Sequence, residues 1–321
     1  MNSNIPFTES PFFASELEKR NYSREEKQLL NQFAENGFAI ISPKIEISII
    51  DEIIKELQPR FDKDSSTNKR LTDAWKYNSN VKAIATSTEI QDTLSLLYQR
   101  EPIPFQTLNF PVGTEQKTHS DMIHFNSIPQ RFMCGVWVAF EDINDDNGPL
   151  HYYPGSHKLP FYDMIDIGVK GSKNTDFKKE MMSYAKDYET FIEKIVKELG
   201  LKKQTLNIKK EQAIIWSANL LHGGEKINIK GLSRHSQVTH YFFENCMYYT
   251  PYFSDIAINK IFIREITNIN TGKKTKNTYF DKKISPHFKN KIKGETVAML
   301  SKISHLFPKK FSEEVKKIIG R

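Results

Sequence analysis

The chain has only two cysteines in 321 residues, Cys134 and Cys246. Two thiols so far apart make neither a metal-binding Cys spacing nor a disulfide framework, and a reducing cytoplasm is the expected compartment. No apolar run approaches the length of a membrane-spanning helix, so no transmembrane segment is expected. The N-terminus, MNSNIPFTESPFFASELEKR, lacks a basic segment followed by an apolar block, which argues against a secretory leader. Internal repeats and low-complexity linkers are also missing. Nothing resembles a nucleic-acid-binding motif, and no nucleic-acid partner is expected. Hydrophobic residues make up 38%, enough for a sizeable core and too many for a chain disordered throughout.

The net charge of +7 is unevenly spread. From Thr271 onward there are 14 Lys/Arg against 4 Asp/Glu, so the rest of the chain is slightly acidic. Residues 271–321 therefore read as a basic C-terminal extension to a domain over 1–270. A solvated surface is the simplest account of that charge. It also admits an acidic partner, an anionic membrane surface or an anionic small-molecule substrate.

Periodicity divides the domain. Residues 1–100 read as mostly helical: Glu16–Phe33, Ile47–Leu57 and Ser87–Gln99 place apolar residues at helical intervals. Between them Gly37–Ile41 reads as a short buried strand, and 62–69 as a loop. Strands then dominate 101–250, at Phe105–Phe110, Arg131–Glu141, Gln204–Ile208, Ala213–Trp216 and Arg234–Phe243. A turn cluster occupies 144–148, and 176–199 reads as a charged helical insertion. Polar 271–293 reads as a mobile connection, and 312–319 as a short amphipathic helix. Leading helices followed by many strands predict a mainly β fold with flanking helices.

Chemistry enters at His119-Ser120-Asp121. Positions i and i+2 of a strand share a face, so His119 and Asp121 can reach one metal from one strand end. His222, where the strand after Trp216 breaks into a glycine-containing loop, supplies a second imidazole. Two imidazoles and one carboxylate bind one face of a ferrous ion and leave the other open. Alone, each piece is weak, since His-x-acid pairs occur by chance and a histidine beside glycines is commonly a loop residue.

The surrounding motifs are more specific: Trp137, Asn147-Gly-Pro-Leu150, Pro154-Gly-Ser-His157, and Gly231-Leu-Ser-Arg-His-Ser236 beyond His222. With these, the sequence over roughly 25–245 resembles the phytanoyl-CoA dioxygenase family of Fe(II)/2-oxoglutarate-dependent oxygenases. The resemblance implies a double-stranded β-helix (jelly roll, cupin-like) core. It implies His119, Asp121 and His222 as iron ligands, with O₂ and 2-oxoglutarate as co-substrates. Arg234 would grip the far carboxylate of 2-oxoglutarate through two parallel hydrogen bonds, with Ser236 as a further donor. Trp137 and Gln106 match positions that line the co-substrate, though on their own they read as a core residue and a backbone-satisfying amide. His124, near the carboxylate, is a candidate substrate contact. His157 reads as structural and His240 as a buried, satisfied histidine on the Arg234 face, while His151 and His235 carry no expected role. In halogenating relatives of the family a small residue replaces the carboxylate, so Asp121 favours hydroxylation of an aliphatic C–H. Two other readings stay open: a cupin-like metal-binding sensory domain without turnover, and an interaction module acting through its basic tail.

Overall fold

A computed structural model describes residues 4–63, 70–169, 184–256, 261–279 and 282–284. Five helices lead into the sheets. The first two, α1 (Phe13–Glu18) and α2 (Arg24–Asn36), replace the single helix expected over 16–33. The break has a local cause at Ser23. Its hydroxyl accepts from Glu26 N at 3.1 Å, while Glu26 Oε2 accepts from Ser23 N at 2.7 Å. This reciprocal cap is worth about 1 kcal/mol and restarts the helix there. Leu30 and Phe33 form its buried stripe. At its end Gly37 adopts φ +79°, and a Cβ there would lie 2.4 Å from His157 Nδ1. Glycine is therefore required both by conformation and by the imidazole packed against it.

Strand β1 (Phe38–Ile41) follows, then α3 (Ile47–Asp62), β2 (Leu71–Thr72), α4 (Ser79–Ala85) and α5 (Thr88–Tyr98). The sequence reading did not anticipate α4. Its signal is Asn78, whose side chain caps Val81 N at 2.9 Å.

The next strands are β3 (Pro102–Phe110), β4 (Asn126–Ile128), β5 (Met133–Ala139), β6 (Leu150–Tyr152), β7 (Gln204–Thr205), β8 (Ala213–Ser217), β9 (His222–Gly224), β10 (Ser236–Phe243) and β11 (Met247–Tyr249). Between β6 and β7 runs α6 (Glu189–Glu198). The large sheet has the order β1-β8-β5-β10-β3-β2, with every pair antiparallel. The small sheet has the order β7-β6-β9, and a bridge from His222 to His119 adds the 119 segment at its edge. This is a jelly-roll core.

Side-chain alternation sorts the large sheet's two faces. Cys134, Val136, Val138, Ala213 and Ile215 pack with the leading helices. Trp137, Ala139, Ile214, Trp216 and Val238 face the interior between the sheets. Both faces are covered, so the central strands β5, β8 and β10 are buried along their whole length. Burying each large apolar side chain of this kind contributes about 2 kcal/mol. Two polar side chains on the helix-facing side bind helix carbonyls: Gln237 Nε2 donates to Val81 O at 3.0 Å and Tyr241 Oη to Ala85 O at 2.9 Å.

Two further expectations differ from the structure. His222 begins strand β9 rather than lying in a loop, because its N–H and C=O pair with those of His119. Part of 271–293, expected as a mobile connection, is paired. Thr267–Asn268 pairs with Lys273–Lys274 around Gly272 at φ +68°, and Thr278–Tyr279 pairs with Lys282–Lys283. The expected end helix at 312–319, and Phe177, Met181 and Met182 of the insertion, lie outside the described residues. No helix among the described residues is long and apolar enough to cross a membrane.

Candidate metal centre

Three buried donors converge at one end of the barrel. Asp121 Oδ1 lies 3.6 Å from His119 Nε2 and 3.9 Å from His222 Nε2. One ligand atom from each residue lies within 4.8 Å of the others. A triangle of this size seats a cation at about 2 Å from each corner.

The backbone prepares the donors. His119 N donates to His222 O at 2.9 Å, and His222 N to His119 O at 3.0 Å, which brings the two rings to 4.5 Å between centroids. His119 Nδ1 faces Lys117 O at 2.8 Å, and His222 Nδ1 faces Leu220 O at 2.9 Å. A carbonyl only accepts, so each Nδ1 carries the proton and each Nε2 presents its lone pair to the cluster. Burial pulls the His222 imidazole down to about 4, so it is neutral and ready to ligate near pH 7. Asp121 does not sit on a strand, as expected from the spacing, but opens a short 3₁₀ turn at Asp121–Ile123. Ser120 turns away, its Oγ donating to Ala218 O at 3.1 Å. Burial alone would raise the Asp121 pKa, yet His222, His119 and His240 hold the carboxyl far below its usual range.

Trp216, not singled out from sequence, orients that carboxylate. Its Nε1 donates to Asp121 Oδ2 at 2.8 Å. The signal was Gly135, directly opposite Trp216 in the sheet register. A Cβ at Gly135 would sit 2.3 Å from the indole, so only glycine admits the ring. Trp216→Phe keeps the ring volume but removes the donor. Metal affinity is expected to fall by about 10- to 100-fold, read by Mn(II) calorimetry, as for other partners that hold a ligand in place.

The insertion also reaches this loop. Tyr188 Oη accepts from Ser120 N at 3.3 Å, and Lys117 Nζ pairs with Glu193 Oε1 at 3.4 Å. Tyr184 Oη lies 3.1 Å from His124 Nε2. His124, the candidate substrate contact, is thus hydrogen-bonded to the insertion.

Arg234 lies just before β10 and is 2% exposed. Its Nη1 donates to Gly148 O at 2.7 Å, but its Nε is buried without a partner. Among the described residues no carboxylate pairs with it. Glu141 instead accepts from Ser233 Oγ at 2.8 Å and faces His235 Nδ1 at 3.0 Å. Burial pulls the guanidinium down to about 10, with Glu141 opposing. Trp137 is 6.0 Å away, ring centroid to Cζ, and its Nε1 is likewise buried with no partner. Two orphaned donors around an unneutralised cation suit a bound carboxylate. Ser236 Oγ makes only a 3.4 Å contact to Arg234 O, which leaves it little committed.

Gln106 Oε1 accepts from His240 Nδ1 at 3.1 Å. His240 is more than a satisfied core residue: its Nε2 points to Asp121 Oδ2 at 3.9 Å. His151 and His235, given no role from sequence, are paired with Glu225 at 2.8 Å and with Glu141. His157 Nε2 faces Ala34 O at 3.3 Å, a structural contact.

Known proteins resemble this chain in sequence and in fold. Phytanoyl-CoA dioxygenase domain-containing protein 1 of Danio rerio is 30% identical over 99 residues, 30% of this chain and 34% of that protein. The match thus spans about a third of that relative's length. Phytanoyl-CoA dioxygenase of Arabidopsis thaliana is 24% identical over 249 residues, 71% of this chain and 81% of that protein. Among solved structures, the epimerase SnoN, in complex with Fe3+, alpha ketoglutarate and nogalamycin RO, is similar in fold. It superposes with a TM-score of 0.52 at 16% identity, over 70% of this chain and 86% of that one. The carbocyclase SnoK of nogalamycin biosynthesis gives 0.51 at 13% identity, over 72% and 87%. The profile of the phytanoyl-CoA dioxygenase (PhyH) family matches residues 22–236, and the chain belongs to that family.

Proposed function

We propose that this protein is an Fe(II)- and 2-oxoglutarate-dependent oxygenase of a small-molecule substrate, which it hydroxylates at an aliphatic C–H. The observation that carries the reading is the presence of both a two-imidazole, one-carboxylate cluster and a buried guanidinium that no carboxylate pairs with among the described residues. In this reading His119, Asp121 and His222 hold the metal, and the donor set suits ferrous iron with open positions. Arg234 binds the distal carboxylate of 2-oxoglutarate, and Trp137 Nε1 and Ser236 Oγ stand by as further donors. Iron with 2-oxoglutarate and O₂ supplies an oxidant for C–H bonds, with release of succinate and CO₂. The protein supplies position and water exclusion. Trp216 and His240 flank the carboxylate, one donating to it and the other at 3.9 Å. Gln106 acts at one remove, by holding His240.

The test is succinate formation from Fe(II), ascorbate, O₂ and 2-oxoglutarate. Slow turnover without substrate is expected, rising when a hydroxylated product forms. Iron binding without succinate across a broad substrate panel would overturn the oxygenase reading. An epimerised or ring-closed product would keep the oxidant and replace hydroxylation.

A further inference from the structure

Arg264 carries a second guanidinium, beside Phe125. Arg264 follows β11 and is pinned to it, with Arg264 N donating to Tyr248 O at 2.8 Å. Its Cζ stands 4.6 Å from the Phe125 ring centroid. Phe125 lies 5.0 Å from the His240 ring, and His240 Nε2 is 3.9 Å from Asp121 Oδ2. Two rings therefore separate this cation from the carboxylate of the metal centre.

Its hydrogen-bonding capacity is largely unused. Nη1 donates to Thr250 Oγ1 at 2.8 Å, and Nε is buried with no partner. Asp73 is the acid that acts on it, but that carboxylate is committed to Lys76 Nζ at 2.9 Å and Thr107 N at 3.3 Å. Among the described residues no carboxylate forms an ion pair with Arg264. Burial pulls the guanidinium down to about 10, against Asp73. Arg70 adds positive charge on the same two imidazoles, His124 and His240.

Several side chains around Arg264 are partly exposed. Gln106, His124, Phe125, Tyr184 and Arg264 are half-buried, whereas Ile123 and Asn126 beside them are buried. Solvent therefore reaches, in part, the side chains between Arg264 and the metal cluster.

We infer that Arg264 forms an anion-binding subsite for the substrate, a small carboxylic acid or phosphate ester. The charged end pairs with the guanidinium fork, and the carbon skeleton lies along Phe125 and His240 toward Asp121. This rests on the oxygenase reading, which puts a substrate beside the metal.

The test is calorimetry on the full chain loaded with Mn(II). 2-Oxoglutarate is titrated first. Butyrate and inorganic phosphate are then titrated separately into the saturated protein, so that Arg234 is already occupied. Binding near the millimolar range is expected, weakened at least about tenfold in Arg264→Gln and partly restored in Arg264→Lys. Stronger phosphate binding assigns a phosphate ester, and stronger butyrate binding a carboxylic acid. Equal affinities in wild type and Arg264→Gln overturn the subsite. Should Arg264→Gln fail to fold, butyrate must slow phenylglyoxal modification of Arg264 in the wild type, and an unchanged rate overturns it. Absence of 2-oxoglutarate binding in the first titration strikes the oxygenase reading instead.

Discussion

Replacing Asp121 by alanine lowers metal affinity by more than about a hundredfold, beyond the loss from an outer partner, and stops succinate formation. Asp121 is the one anion among the three donors, and two neutral imidazoles alone hold a divalent cation poorly. The variant also leaves Trp216 Nε1 without its acceptor in a buried place. Asp121→Asn separates the two effects. Its amide oxygen still accepts from the indole, so thermal stability stays near wild type while Mn(II) and Fe(II) affinity collapses. Both are read by calorimetry and thermal unfolding on the same samples. Unchanged affinity in the asparagine variant would unseat the cluster as the metal site.

Arg234→Gln is the second large effect, and it moves a different quantity. Two charge-assisted hydrogen bonds of about 1.5–3 kcal/mol each correspond to a loss of at least about a hundredfold in 2-oxoglutarate affinity. Metal affinity is untouched. Lysine restores little, since an ammonium cannot reproduce the parallel fork. Stability follows an uncommon sign. The guanidinium is 2% exposed and has no carboxylate ion-paired with it among the described residues, so its removal relieves a desolvated charge. The unfolding temperature of Arg234→Gln without ligand is therefore equal to or above wild type, and excess 2-oxoglutarate raises the wild type alone. A lower unfolding temperature, with unchanged 2-oxoglutarate affinity, would make Arg234 a structural residue.

Much of this was legible in the chain. His119, Asp121 and His222 were readable as a set because their donor chemistry is particular, and the motifs around them narrowed the fold. The face of Arg234 followed from parity, which also turned His240 inward. Parity did not reveal that His240 points at the metal carboxylate, since a buried imidazole in a strand looks the same in sequence whatever it faces. Trp216 was illegible for a similar reason: an indole in an apolar strand reads as core, and its one polar contact depends on register with Gly135. The helix break at Ser23 and the cap at Asn78 were local and readable, but apolar spacing ran across the first and drowned the second. Arg264 carried no signal, because its meaning lies in Phe125, far away in the chain.

His119 and His222 exchange backbone hydrogen bonds across neighbouring segments. The Cα positions of the two imidazoles are therefore tied together, and each ring is held by its own Nδ1 bond to a carbonyl. Asp121 belongs to a separate short turn, tethered through an indole and the Ser120 hydroxyl. A cation held by all three would thus be gripped by two separately anchored parts, the paired imidazoles and the carboxylate turn.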